Sequence, residues 1–403
     1  MLRRTPLAVA PARPCLAGLA AFLTLAAAMT TPARAADLIV STNDAKYQRV
    51  EGRDTFPAGA PSDTLSVIDA SVSPPKVVAT VDVAAAIAGP PQAVAVTPDG
   101  RLAVVSAPNR YDHTEKKNVL ENYLQVVDLA AQPPRVVAKV ELPHHPQGVA
   151  INREGTLLLA ATVGGTVSAF EIKGEGLVPA GELKLSDRRL AGITFTHDGK
   201  AALVALRDEQ GVMVLDVDGA KVTTQRERVS TGVAPYVVDV SSDGRWAVVG
   251  NVGLAGLPGS VGRLAGDADT FTLVDVSRRP FRAVQHVSVP SLPEGIALSP
   301  DGRWIAVQSM DGSNLTPDNP GRKPRGRLTL FEIRDGRAVQ AAELPAGEAG
   351  QGVVFTADGR HVLAQFNVEK QIAVYAVDGG RLADTGTRLT FTGGPSSIRS
   401  VPR

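Results

Sequence analysis

The stretch EGIALSPDGRWIAVQ (Glu294–Gln308) decides the fold of this chain. A short apolar run from Ile296 to Leu298 meets Ser-Pro-Asp-Gly, and a second run from Trp304 to Val307 follows at once. Asp and Gly tolerate the positive φ of a tight turn, and neither run is long enough for an ordinary helix. The phrase therefore reads as a β-hairpin. It recurs as QAVAVTPDGRLAVVS from Gln92, QGVAINREGTLLLAA from Gln147, AGITFTHDGKAALVA from Ala191, YVVDVSSDGRWAVVG from Tyr236 and QGVVFTADGRHVLAQ from Gln351.

After each copy comes a second pair of strand-like runs. VMVLDV from Val212, FTLVDV from Phe271, LTLFEI from Leu328 and IAVYAV from Ile372 are the same third strand in successive copies. The unit is thus four antiparallel strands. The turn glycines Gly100, Gly155, Gly199, Gly244, Gly302 and Gly359 are spaced by 55, 44, 45, 58 and 57 residues. The shorter intervals fit a propeller blade, and the longer ones carry insertions. The two ends make one further unit. PSSIRSV from Pro395 matches a first strand, while LIVST from Leu38, TLSVIDA from Thr64 and PKVVATVDV from Pro75 match the other three. The expectation is all-β: a seven-bladed β-propeller of four-stranded antiparallel blades, closed by the C-terminal strand joining the N-terminal three. Such closure leaves no free sheet edge at the seam.

Residues 1–35 read as a secretory signal peptide: Arg3 and Arg4, an apolar stretch from Leu16 to Met29, and a small-residue cleavage site at Ala33-Arg34-Ala35. The apolar stretch is shorter than the roughly 20 residues of a membrane span. Residues 36–403 are then a single propeller domain, periplasmic or secreted. The export route, general secretory or twin-arginine, stays open. The single cysteine, Cys15, lies in the leader, so the mature domain has no disulfide, cysteine-ligated metal or covalent c-type haem. Without the four arginines of the leader the net charge falls from +1 to about −3. That balance gives no general attraction to nucleic acid or acidic lipid.

The phrases PPQAVAVTPDGR from Pro90 and LPEGIALSPDGR from Leu292, with TLVDV from Thr272, resemble the YVTN-type repeats of bacterial seven-bladed propellers. They are also similar to the lactonase-like propellers related to 6-phosphogluconolactonase and to the amine dehydrogenase heavy chain. The likeness covers essentially the whole mature chain. It implies the propeller fold and, as an activity, lactone hydrolysis.

Strand direction sorts the loops. The Asp-Gly turns all fall on one face, short and uniform. The opposite face carries four long loops between second and third strands: Thr42–Ser62, Ala107–Glu121, Asn251–Asp269 and Ser309–Gly326. Loops of that length are often functional. Their order around the ring places two walls facing each other across the channel mouth, a cleft suited to an extended ligand. The first residues of the first strands ring the same mouth. Gln92, Gln147, Tyr236, Glu294, Gln351 and Ser396 are the candidate binding residues, a polar funnel rich in hydrogen-bonding groups.

His145, Tyr236 and Glu294 are the candidates for general acid–base work on a lactone, although they come from different blades. Asn251, Glu294 and Asp311 are the candidate oxygen ligands for calcium, a set of the kind some propeller lactonases use. No His-x-His or His-Glu-x-x-His spacing supports zinc, and no other cofactor is expected. Arg322, Lys323, Arg325 and Arg327, with Lys116 and Lys117, form a basic patch, but aromatic content is only 4%. Base stacking has little to work with, so nucleic acid is not an expected partner. The residues alone favour an exported binding or scaffold protein, which presents its loop-rich face to a protein, peptide or small-molecule ligand. The alternative, which rests on the resemblance, is a lactonase-like hydrolase acting on a small lactone. Oligomeric state is not legible.

Overall fold

The computed structural model describes residues 1–2, 37–257 and 268–403. The chain divides into two units, Met1–Ala33 and Arg34–Arg403, and the propeller occupies the second. The leader and its cleavage site lie outside the described residues. Seven four-stranded antiparallel sheets are present, each following the expected order from inner to outer strand. Blade 6 is typical, with Pro293–Leu298, Trp304–Ser309, Arg327–Arg334 and Arg337–Pro345. Blade 1 closes the ring. Its inner strand, Gly394–Ser400, pairs antiparallel with Leu38–Asp44, Ser41 lying opposite Ile398. Blades 2 to 7 begin at Val94, Pro146, Ile193, Pro235, Pro293 and Gly350. Blade 4 departs from the pattern: its outer strand is split into Lys221–Thr223 and Arg228–Val229.

Burial explains the composition of the strands. Second strands such as Leu157–Thr162 and Trp246–Asn251 are buried at every position, because neighbouring blades cover both faces. Outer strands such as Arg282–Val289 alternate exposed and covered residues. Apolar layers join each blade to the next, and one continuous layer links blades 4, 5 and 6. Within it Phe271 and Phe331 meet edge to face at 5.0 Å.

The hairpin turn owes its recurrence to a side-chain network. In blade 6 the Ser299 hydroxyl accepts a bond from the Trp304 amide at 2.8 Å, while Asp301 accepts from the Arg303 amide at 3.1 Å. Gly302 takes φ +68°. Thr97, Thr196, Ser241 and Thr356 repeat the role of Ser299. The hydroxyl two residues before the Asp therefore belongs to the signature. Ser299→Ala strands the buried Trp304 amide and should cost about 1–2 kcal/mol, read as a lower urea midpoint with unchanged slope.

Around the axis the inner strands approach closely. A Cβ added to Gly148 would lie 2.6 Å from the Ala191 carbonyl oxygen. One on Gly192 would lie 2.4 Å from that of Tyr236, and one on Gly295 2.4 Å from that of Gln351. This explains the Gly in the second position of the QGVAI, AGITF and EGIAL phrases. The channel is also crossed by polar links. The Gln92 side chain donates to the Val238 carbonyl at 2.7 Å and accepts from its amide at 3.1 Å, joining blade 2 to blade 5. Arg399 of blade 1 pairs with Asp239 of blade 5 at 3.3 Å. On the turn face the C-terminal tail runs under the channel: Arg403 bonds Asp37 at 2.9 Å, and its carbonyl oxygen accepts from His197 Nδ1 of blade 4 at 3.2 Å. A cavity of about 140 Å³ lies there, lined by residues that include Arg153, His197, Asp239 and Arg399.

Two of the four long loops carry further strands. Gln48–Val50 pairs with Arg53–Thr55, and Asn109–Asp112 pairs with Lys117–Leu120. Among the described residues no helix is long and apolar enough to cross a membrane.

Candidate functional site

The loop-rich end of the channel gathers a cluster of charged and polar groups. Tyr236 is the second residue of the inner strand of blade 5 and is buried, and the Arg207 guanidinium carbon stands 3.9 Å from the centre of its ring. Arg207 sits in the short loop after the second strand of blade 4. Its Nε donates to the Gly256 carbonyl oxygen at 3.3 Å, whereas its buried Nη1 has no partner. Beside it Arg189 makes a two-pronged pair with Asp208, at 2.8 and 3.3 Å, and also reaches the Gly256 oxygen at 3.2 Å. One carbonyl thus fixes both guanidiniums.

Glu294 is the second residue of the inner strand of blade 6. Its Oε2 is buried and bonds nothing. Burial pushes its carboxyl up to about 7, against the opposing pull of Arg207 and Arg49. Tyr236 is raised by burial first and by the Glu294 charge second, so its phenol keeps its proton at neutral pH. Burial also lowers Arg207, with Tyr236 and Glu294 acting in the opposite sense. These shifts place Tyr236, Glu294 and Arg207 in one electrostatic neighbourhood. Gln351 of blade 7 joins them. A Cβ built on Gly89 would lie 2.7 Å from Gln351 Oε1 and 3.5 Å from the Tyr236 hydroxyl, so the two side chains meet over Gly89.

Backbone geometry delivers these three residues. Ala234, Leu292 and Ala349 each precede Tyr236, Glu294 and Gln351 by two positions, and each has φ near +50° (53°, 54° and 48°). A left-handed non-glycine residue costs about 1 kcal/mol or more. Its use in three successive blades marks the turns that aim side chains into the mouth.

The other candidates have different surroundings. Gln92 spends both ends of its amide on Val238, as described above. Ser396 Oγ lies 3.1 Å from Thr42 Oγ1 at the blade 1 seam. Gln147 is half-buried, and its carbonyl accepts from Ser106 Oγ at 2.6 Å. His145 is buried, and its Nδ1 donates to the Glu121 carbonyl at 2.7 Å. Burial lowers its pKa, leaving a neutral ring whose Nε2 has no partner. The groups that act on it belong to Glu121, not to Tyr236 or Glu294. In the calcium set, Asn251 donates to Thr270 and Thr272 and keeps an unpartnered Oδ1. Asp311 is committed to cations, with Lys323 at 2.6 Å and Arg327 at 3.3 Å. Among the described residues no three His, Cys, Asp or Glu side chains converge as a metal site.

The two walls expected across the mouth are joined on one side. The turn at Gly52, in the blade 1 loop, presses on the backbone of Leu315 in the blade 6 loop. An extended cleft is therefore interrupted there. Arg49, Arg189 and Arg207 were not among the sequence candidates. The only hint was an arginine directly after the apolar strand that ends at Leu206.

Buried polar atoms without a partner mark the same end of the molecule. Among the described residues they belong to Asn109, His145, Arg207, Asn251, Ser291, Glu294, Gln308, Ser309, Asn314 and Gln351. All ten residues lie toward the loop-rich end, and none lies at the Asp-Gly turns. These atoms are available to bond water or a ligand at that end of the channel.

No protein-family model and no curated protein sequence matches the chain. Solved structures do. A Bacteroides uniformis protein provisionally assigned as a 6-phosphogluconolactonase superposes with a TM-score of 0.65 at 16% identity, covering 91% of this chain and 100% of that one. The periplasmic gluconolactonase of Pseudomonas aeruginosa gives 0.60 at 17% identity, over 91% and 99%. Hydrazine synthase of Kuenenia stuttgartiensis gives 0.57 at 18% identity, over 78% and 96%. Such different neighbours show that the likeness is one of architecture. The chain shares the propeller fold of these structures.

Proposed function

We propose that the chain is a lactonase-type hydrolase that opens a small lactone at the loop-rich mouth. The observation that carries this reading is the grouping of Glu294, whose carboxyl is pushed up to about 7, with the Arg207 guanidinium, whose Nη1 has no protein partner, and the protonated Tyr236 phenol. The names of the gluconolactonase-type neighbours support it as well. A binding or scaffold role, favoured by the residues alone, needs no such titrating carboxyl.

The chemistry assigns each group a part. Glu294, ionised in about half of the molecules near neutral pH, takes a proton from water as its oxygen attacks the lactone carbonyl carbon. Arg207 Nη1 donates to the carbonyl oxygen as negative charge develops there. Tyr236 and Gln351 orient the ring through hydrogen bonds. Collapse of the tetrahedral adduct breaks the acyl–oxygen bond of the ring, and Glu294 returns the proton to the departing oxygen. The product is an open hydroxy acid, which ionises and releases one proton to solvent. The leader-like residues 1–35 and the periplasmic neighbour support an exported location.

A panel of small lactones, followed by proton release from the purified mature chain, tests the reading. At least one should open faster than it does spontaneously. Arg207→Met should lower kcat by about 100-fold, the loss typical of removing one oxyanion donor. No acceleration with any lactone would reject the proposal in favour of a binding role.

A further inference from the structure

Of the groups around Glu294, Arg49 comes from farthest away in the sequence. It lies on the hairpin of Gln48–Val50 and Arg53–Thr55, an insertion between the second and third strands of blade 1. Glu294 lies on the inner strand of blade 6, yet the two side chains stabilise each other's charge. The hairpin reaches that far because it is tethered at both ends. At its base Phe56 stacks on Tyr111 of the blade 2 hairpin, the rings 3.8 Å apart and within 1° of parallel. Tyr47 packs on Phe56 at 5.7 Å and donates to Asp54 at 2.8 Å. At its tip Gly52, at φ +72°, leaves no room for a side chain: an added Cβ would lie 2.3 Å from the Leu315 carbonyl oxygen. Asp54 holds the Arg49 guanidinium at 3.1 and 3.2 Å, which sets its direction.

We propose that this hairpin is the specificity element of the mouth, a strap that limits the ligand to a small ring, with Arg49 as the positioning residue it carries toward Glu294. The identity of the ligand rests on the hydrolytic reading, but the shielding of Glu294 does not. Three side chains share charge interactions with Glu294: Arg207 from blade 4, Tyr236 from blade 5 and Arg49 from the strap. The first two are fixed by propeller strands and by the Gly256 carbonyl. The third depends on the strap staying seated on the blade 6 loop.

Two variants separate the strap from the rest. Gly52→Ala lifts the tip and with it displaces Arg49, whereas Arg49→Gln removes the charge while leaving the tip seated. Modification of Glu294 by a water-soluble carbodiimide and an amine, quantified by peptide mass, needs no turnover. Glu294 should react about fivefold or more faster in Gly52→Ala than in the parent, since a seated strap restricts access to the carboxyl. With a lactone that is turned over, Gly52→Ala should raise kcat/KM for bulky ring-substituted lactones relative to small ones by about tenfold. Arg49→Gln should raise KM more than it lowers kcat, and Arg49→Lys should restore most of the loss. Equal carbodiimide rates in the parent and Gly52→Ala would overturn the strap. An unchanged size preference would overturn its role in specificity. If no lactone is turned over, the hydrolytic reading has failed, and the carbodiimide rates decide the strap by themselves.

Discussion

Glu294→Gln should slow lactone opening by about 1,000-fold while making the folded protein more stable above neutral pH. The two effects share one cause. The Glu294 carboxyl is held at about 7 in the folded chain against an ordinary 4.5, because burial disfavours its charge more than Arg207 and Arg49 favour it. The folded state therefore keeps this proton to higher pH than the unfolded chain does. Stability tied to Glu294 is complete below about pH 4.5 and is lost as pH rises through about 7, by at most about 3 kcal/mol. Gln has nearly the same shape and no charge to lose. Melting temperatures of the two proteins should match near pH 4.5 and separate by roughly several degrees at pH 8, with the variant higher. Matching melting curves at both pH values would mean that the carboxyl is not held out of its ordinary range.

The second large effect concerns the scaffold. Gly192→Ala should destabilise the propeller by about 3–5 kcal/mol, combining overpacking with the loss of polar contacts. The added Cβ would lie 2.0 Å from Gln92 Oε1 and 2.4 Å from the Tyr236 carbonyl oxygen. Neither neighbour can yield cheaply. Gln92 holds both the amide and the carbonyl of Val238 across the channel, and the Tyr236 oxygen already accepts the Gly192 amide at 2.8 Å. Displacing that oxygen also moves the ring that Arg207 covers. Urea denaturation should show a lower midpoint, and any surviving activity should fall with it. An unchanged midpoint would show that the inner strands around the channel can spread at little cost.

The fold was legible because its signal repeats. The Asp-Gly turn recurs with the same side-chain network, and the seam at Gly394–Ser400 follows from matching the two ends of the chain to one unit. The site was legible only where strand register speaks. Tyr236, Glu294 and Gln351 are the second residues of their inner strands, and register puts them at the mouth. It puts Gln92 and Ser396 there as well, yet Gln92 crosses the channel and Ser396 bonds Thr42 at the seam. Register gives a position, not the direction of a side chain. That direction comes from Ala234, Leu292 and Ala349, whose positive φ nothing in their composition announces. Arg207 and Arg49 were hidden for a related reason. One sits in a loop too short to draw attention, and the other arrives from blade 1 on a hairpin whose path is set by Gly52 and by Phe56 stacking on Tyr111. The contact between the blade 1 and blade 6 loops depends on tertiary packing alone.

The pH dependence of kcat/KM for a lactone that the wild-type chain opens tests the central claim most directly. With Glu294 as the base, the rate should rise with pH along a single limb centred near the value of about 7 set by its burial, and Glu294→Gln should abolish that limb. A wild-type profile that is flat between about pH 5 and pH 9, or one whose limb survives in Glu294→Gln, would contradict the account.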